Sequence, residues 1–252
     1  MSRASVLRNA GNKLYEYAFP IYRPLYATYK AYTDRAERQL LREVLFPGAV
    51  AVDAGANIGI YSRFLARRVG PAGVVHSFEP APENFKRLRT AMCRFSNVHV
   101  YQVAVGERTS QAELYLSGKL NVDHRTYSTN ESTRRMVGIE MVALDDYFKP
   151  GQQVDLIKMD IQGYELEALR GANRVLQEHS KISLLLELWP FGLKQAGAGW
   201  EPLIDMIRGF DMDLLIIGNH GSRPFNPGDI RSDPSWYVSL FGTRRRNETR
   251  LD

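Results

Sequence analysis

The chain has 252 residues, 44% of them apolar and 24% charged, enough to bury a full core in one domain with an appendage. Its single cysteine, Cys93, excludes a disulfide framework and a thiolate metal cluster, and no run of about 18 apolar residues marks a transmembrane helix. The net charge of +5 suits an anionic surface or an acidic substrate without calling for nucleic acid, and the absence of a secretory apolar core near Met1 fits a cytoplasmic enzyme.

Residues 1–46 are basic and rich in tyrosine. From Tyr22 the tyrosines recur at Tyr26, Tyr29 and Tyr32, a helical stripe interrupted by Pro24. Three placements are open for this segment: packing on the catalytic domain or against a second copy in a homodimer, a lid over the substrate site, or peripheral membrane contact through its aromatic and basic side chains.

Residues 47–243 alternate strands and helices. The apolar run Ala49–Asp53 predicts a strand, and Gly55 and Gly59 flank a turn before a helix over 58–69. A strand, a glycine turn and a helix at the start of an α/β domain cradle a nucleotide-like cofactor. Dinucleotide sites carry a third glycine and seat a pyrophosphate on the helix N-terminus. Here the third glycine is missing, and Asp53 at the strand tip opposes an anion. An acid at that position suits a cation, and S-adenosyl-L-methionine has an ammonium and a sulfonium but no phosphate. Val74–Phe78 predicts the second strand, ending at Glu79, 26 residues after Asp53. A terminal acid there reaches the ribose hydroxyls of a nucleoside.

Further strands are expected at Val98–Val103, Val154–Met159, Ile182–Leu188, Leu214–Ile217 and Tyr237–Phe241, the last antiparallel and at or near an edge. Helices are expected over 82–95, 164–178 and 200–209. Runs such as Ile182–Leu188 are apolar throughout, as in parallel strands covered on both faces. The rhythm breaks at an insertion, 109–143, holding two strand-like pieces, Ala112–Leu116 and Ile139–Val142, and a polar stretch from Ser117 to Arg135. Long ordered loops of this kind carry function, so the stretch is expected to contact the acceptor rather than the cofactor. Residues 244–252 form a basic tail.

The second half of the site lies at the exit of the strand that ends in Lys158-Met-Asp160. Ligands bind beyond the C-terminal strand ends of an open α/β sheet, which puts Asp160 on the same rim as Asp53 and Glu79. Glu187 brings a further carboxylate to it. Asp160 and Glu187 raise magnesium as an option, but no clear ligand spacing supports it, and no metal residues are assigned.

These motifs resemble the FkbM family of S-adenosylmethionine-dependent methyltransferases. The resemblance covers about residues 48–220 and rests on Val52-Asp-Ala-Gly-Ala-Asn-Ile-Gly59, Phe78-Glu-Pro80 with Asn84, Leu144-Asp145, Ile157-Lys-Met-Asp-Ile-Gln-Gly-Tyr-Glu165 and Leu184-Leu-Leu-Glu187. It implies an α/β class I methyltransferase fold, Rossmann-like, with a seven-stranded, mostly parallel sheet and helices on both faces. It also implies methyl transfer to a hydroxyl of a sugar, glycoconjugate or related natural product. Asp53, Gly55, Asn57, Gly59 and Glu79 match the family's cofactor-site positions, and Ala104 would lie near the adenine. The chain departs from the family pattern at Gln162, where glutamate is common, and at Trp189, where many members have histidine.

Methyl transfer to an alcohol needs alignment and a base within reach of the hydroxyl. Two residues are candidates. Asp160 is on the rim, and His124 lies in the insertion beside Asp123. Of the other histidines, His76, His99 and His179 are explained by packing, while His220 follows a strand at a rim position. A small-molecule or glycan acceptor is expected. The alternatives are a Rossmann-type oxidoreductase and a binding module without catalysis.

Overall fold

The computed structural model describes residues 11–117, 124–127, 135–218, 221–231 and 233–244. Asp123, His220, much of the polar insertion loop and the tail beyond Arg244 lie outside these residues.

The N-terminal segment is helical. A stretch over residues 11–17, α1, is followed by α2 (Phe19–Thr33) and α3 (Arg35–Val44). The remaining elements follow in chain order as β1 (Val50–Ala54), α4 (Ile60–Val69), β2 (Val74–Phe78), α5 (Pro82–Met92), β3 (Val98–Tyr101), β4 (Val103–Val105), β5 (Ser110–Leu116), β6 (Arg135–Val142), α6 (Leu144–Tyr147), β7 (Leu156–Met159), α7 (Glu165–Arg170), α8 (Asn173–Glu178), β8 (Ser183–Leu188), α9 (Pro190–Gln195), α10 (Trp200–Gly209), β9 (Met212–Gly218), β10 (Gly221–Pro224) and β11 (Val238–Arg244).

The main sheet has the order β10-β9-β11-β8-β7-β1-β2-β3. Strands β3, β2, β1, β7 and β8 pair in parallel, and β11 runs antiparallel to both β8 and β9. This is the class I methyltransferase order, with one added strand. The count differs from the seven expected because β10 folds back on β9 as an outer hairpin strand. Its four residues, Gly221-Ser-Arg-Pro224, are all exposed and have no apolar pattern to mark them. The last strand is antiparallel as expected, and β11 lies near the edge rather than at it, with β9 and β10 outside it.

A second sheet of three strands, β4-β6-β5, is built from the insertion. The expected strand Val98–Val103 splits at Gln102, so that β3 stays in the main sheet and β4 joins the small one. The expected helix over 164–178 breaks at Gly171, where a Cβ would lie 2.0 Å from the carbonyl oxygen of Gly106. That contact lets the chain pack on the loop after β4. One face of the main sheet buries Val52, Ile157, Leu184 and Leu240 against α7, α8 and α10; the other buries Ala51, Leu156 and Leu185 against α3 and α4. Among the described residues no helix is long and apolar enough to cross a membrane.

The strand order reverses between β7 and β1, and the crevice beyond these strand ends is where an open α/β sheet takes its ligand. A cleft of about 1230 Å³ opens there.

Candidate functional site

The cleft floor is set by the turn after β1. Gly55 has φ +73°, and a Cβ on it would lie 2.0 Å from the backbone oxygen of Asp160. Only glycine lets the β1 and β7 exits touch in this way. Asn57 also adopts a left-handed conformation, and its backbone N–H donates to Glu79 Oε2 at 2.8 Å. Glu79 Oε1 accepts from the Ala81 N–H at 2.9 Å. One carboxylate thus ties the glycine turn to the tip of β2. Burial pushes Glu79 up to about 7, against the pull of those two N–H groups. Gly59 begins α4 at φ +83° and, packed against Leu88, lies behind the turn.

Asp53 is placed differently from Glu79. It is fully buried and is not part of the cleft wall. Its carboxylate pairs with Lys158 Nζ at 3.0 Å and accepts from Ser62 Oγ at 2.7 Å. The two charged residues are cross-strand neighbours on β1 and β7. Lys158 also donates to the Gly55 carbonyl at 3.3 Å. Burial would lower its pKa, but the charges of Asp53 and Asp160 outweigh that and hold the ammonium above its usual range.

Asp160 faces the cleft at the end of β7, with its N–H on the Ala54 carbonyl at 3.1 Å. Gln162, itself at φ +59°, donates from Nε2 to Asp160 Oδ1 at 2.9 Å and to Glu187 Oε2 at 3.3 Å. One amide therefore bridges two carboxylates. Burial, then the charges of Asp160 and Glu165, hold Glu187 well above the ordinary carboxylate range. The backbone oxygen of Gln162 accepts from the Tyr127 hydroxyl at 2.6 Å, which fastens the insertion to this turn. Glu165 accepts from the Ile161 N–H at 3.0 Å and is fully buried, so it supports the turn from below.

His124 lines the same cleft as Asp160. The Ser117 N–H donates to its Nδ1 at 3.2 Å. A neutral imidazole accepting at Nδ1 carries its proton on Nε2. Arg125 pairs with Tyr115 through backbone hydrogen bonds, and its guanidinium lies 4.9 Å from the centre of the Trp189 ring. Ala104, on β4, lines the cleft beside Val105. Of the other described histidines, His76 is packed as expected, bonding the Tyr147 hydroxyl at 2.8 Å, and burial pushes it down to about 4. His99, expected to be explained by packing, is instead exposed on β3, with its ring stacked 5.6 Å from that of His76.

The roof was the part least accessible to sequence reasoning. Helix α2 contributes Tyr22, Leu25, Tyr26, Tyr29 and Lys30 to the cleft. Lys30 is paired with Asp34 at 2.7 Å. The segment is held on α5 by Arg87, whose guanidinium lies 3.9 Å from the Tyr15 ring centre and 4.0 Å from that of Phe19. Trp189 and Tyr237 also line the cleft. The tyrosine spacing was the available signal for this roof; Gln162 and Trp189 were marked only by their place after strand tips and as departures from the family pattern.

A family model described as a methyltransferase FkbM domain matches residues 53–212. The chain belongs to the FkbM methyltransferases. Similar proteins include the 2-O-methyltransferase NoeI of Sinorhizobium fredii, 26% identical over an alignment of 159 residues that covers 56% of this chain and 65% of NoeI. The hexuronic acid methyltransferase AglP of Haloferax volcanii is 26% identical over 148 residues, 57% of this chain and 59% of AglP. In both cases the match spans less than two-thirds of the relative. The crystal structure of an FkbM methyltransferase from Methylobacillus flagellatus aligns at a TM-score of 0.48 and 22% identity, over 81% of this chain and 50% of that one.

The cofactor of this FkbM chain is S-adenosyl-L-methionine, and the residues fit it. The buried Oδ1 of Asn57 has no partner among the described residues, a state that is costly unless a ligand donates to it. Glu79, the acid expected to reach the ribose, lines the same cleft. Glu79, Asp160 and Glu187 set three carboxyl groups along the cleft, with Lys30 and Arg125 also in its lining. Among the described residues no group of three or more His, Cys, Asp or Glu side chains is placed to hold a metal.

Proposed function

We propose that this protein transfers a methyl group from S-adenosyl-L-methionine to a hydroxyl oxygen of a sugar, glycoconjugate or related natural product. The observation that carries the reading is the union, in one cleft, of the Gly55–Asn57 turn and Glu79 with the Asp160–Gln162–Glu187 cluster beneath an aromatic roof. The first group holds the cofactor, together with Ala104 at the adenine. Gly59 shapes the turn, and Asp53 acts from behind it by holding Lys158 under the Gly55 carbonyl. The second group meets the acceptor.

The cofactor supplies an activated methyl group, so the protein has to align the oxygen and accept its proton. Asp160 is the base in this reading, steadied by the Gln162 amide. His124, with its proton on Nε2, donates a hydrogen bond to the acceptor and fixes its orientation. Tyr22, Tyr26 and Trp189 present flat apolar faces with polar edges, which suit the mixed C–H and O–H surface of a sugar ring and keep water out. The name of AglP supports a carbohydrate acceptor, and that of NoeI supports transfer to oxygen.

The test is single-turnover transfer from labelled S-adenosyl-L-methionine to a panel of uronic acids, glycosides and other hydroxyl compounds. Asp160→Asn is expected to slow transfer by roughly 100-fold or more while keeping affinity for S-adenosylhomocysteine. An unchanged rate removes Asp160 as the base, and a panel without any product removes the carbohydrate reading.

A further inference from the structure

Helix α2 is a wall with the cleft on one side and a second groove on the other. This groove, of about 610 Å³, lies between α2, α3 and α4 and is lined by Arg23, Arg38, Arg63 and Arg67, with Phe64 and Ile60 as its apolar floor. No carboxylate among the described residues lines it. Among the described residues, none of the four guanidiniums is ion-paired to an acid. The buried Nε atoms of Arg23 and Arg38 have no hydrogen-bond partner among the described residues. Arg38 is held over Phe64, 5.2 Å from the ring centre, so its position is set by packing rather than by an anion of the protein. Burial, and then the charge of Arg63, make the Arg23 cation harder to keep. Four like charges gathered without a counter-ion oppose folding unless something anionic arrives.

The ridge between groove and cleft is apolar and uncovered. Tyr17, Ile21, Leu25, Tyr29 and Tyr32 are 58–78% exposed. No acid occurs from Tyr17 to Thr33, and every exposed residue in that stretch is uncharged. Exposed Lys13 and Arg35 flank it. Residues 1–46 hold eight Lys and Arg against four Asp and Glu, which is four of the chain's five net positive charges. Tyrosine-rich apolar faces bordered by basic residues are the composition of helices that lie in a lipid interface. A second copy of the chain fits this face poorly, because it would set the arginine groove against another of its own sign.

We propose that this face docks on an anionic membrane: the Arg23, Arg38, Arg63 and Arg67 groove takes a lipid phosphate while the Tyr17–Tyr32 ridge enters the interface. Leu25 and Tyr29 belong to both ridge and cleft, so docking would open the cleft at the lipid surface.

Flotation of the full chain with vesicles tests this. Binding is expected to phosphatidylcholine vesicles containing about a third phosphatidylglycerol, not to phosphatidylcholine alone, and it should weaken as salt rises. Arg63→Gln/Arg67→Gln, at two exposed positions on α4, should lower partitioning roughly 30-fold. Ile21→Ser/Tyr32→Ser should lower it as well, while both variants keep the wild-type circular dichroism. Absence of flotation with the anionic vesicles overturns the proposal, as does flotation undiminished in the arginine variant. Inorganic phosphate that raises the melting temperature of the wild type but not of the arginine variant, without vesicle binding, would mark a free-phosphate site instead. A concentration-dependent dimer abolished by Ile21→Ser, again without vesicle binding, would assign the ridge to a second copy.

Discussion

Replacing Asp53 with asparagine removes one charge of an ion pair that lies wholly inside the fold. Breaking a buried pair by removing one partner typically costs about 3–5 kcal/mol, because the other charge is left without compensation. The surroundings decide where in that range each variant falls. In Asp53→Asn the remaining ammonium of Lys158 keeps the Gly55 carbonyl at 3.3 Å and feels the charge of Asp160. Its loss is therefore near the lower end, about 3 kcal/mol. In Lys158→Met the Asp53 carboxylate, with no solvent exposure, keeps only the Ser62 hydroxyl. That variant falls near about 5 kcal/mol. Asp53→Asn/Lys158→Met should be more stable than Lys158→Met alone, since neither charge is then stranded. Urea unfolding followed by tryptophan fluorescence gives the double-mutant cycle, and calorimetry gives S-adenosylhomocysteine affinity under folded conditions. If Asp53→Asn stays within about 0.5 kcal/mol of wild type yet loses the ligand, Asp53 faces the cofactor directly and the supporting role assigned to it is wrong.

Three further outcomes are expected. Because Glu79 is pushed up to about 7 in the free protein, its carboxylate is ionised above that pH and lost as pH falls through it. Ribose binding needs the ionised form, so affinity for S-adenosylhomocysteine should drop roughly tenfold from about pH 8 to about pH 6, and Glu79→Gln should abolish that dependence; calorimetry at both pH values checks it. Gly55→Ala forces a non-glycine residue to φ +73° and a Cβ to within 2.0 Å of the Asp160 oxygen; the strain alone costs about 1–2 kcal/mol, and both melting temperature and ligand affinity should fall. S-adenosylhomocysteine should raise the melting temperature of the wild type while NAD leaves it unchanged, as thermal unfolding in the presence of each ligand will report.

The elements legible in the sequence are those whose signal is local. The β1 turn was readable because Gly55 and Gly59 are needed for its left-handed backbone, and β2 matches Val74–Phe78 because its apolar run is bounded by Gly73 and by Glu79 with Pro80. Asp160 was readable as a rim residue because a strand tip in an α/β sheet points at the ligand crevice. Asp53 has the same local signature, yet its environment is set by Lys158, which the pairing of β1 with β7 brings alongside from far along the chain. No pattern near Asp53 reports that partner. The same limit applies to α2. Its tyrosine stripe announced a helix, but its place over the cleft depends on Arg87 of α5 gripping Tyr15 and Phe19. The arginine groove is more distributed still, since Arg23, Arg38 and the pair Arg63 and Arg67 come from three helices. The position of β11 between β8 and β9 is likewise a fact of topology, because an apolar strand reads alike at the edge or inside a sheet.

The measurement that bears most directly on the account is the position of the transferred methyl carbon. Wild-type protein is incubated with carbon-13-methyl S-adenosylmethionine and an accepted uronic acid or glycoside, and the product is read by two-dimensional NMR. The account predicts a methyl ether, with the labelled carbon bonded to a former hydroxyl oxygen, formed by wild type and lost in Asp160→Asn. A label on nitrogen or ring carbon, or an ether formed equally well by Asp160→Asn, would contradict it.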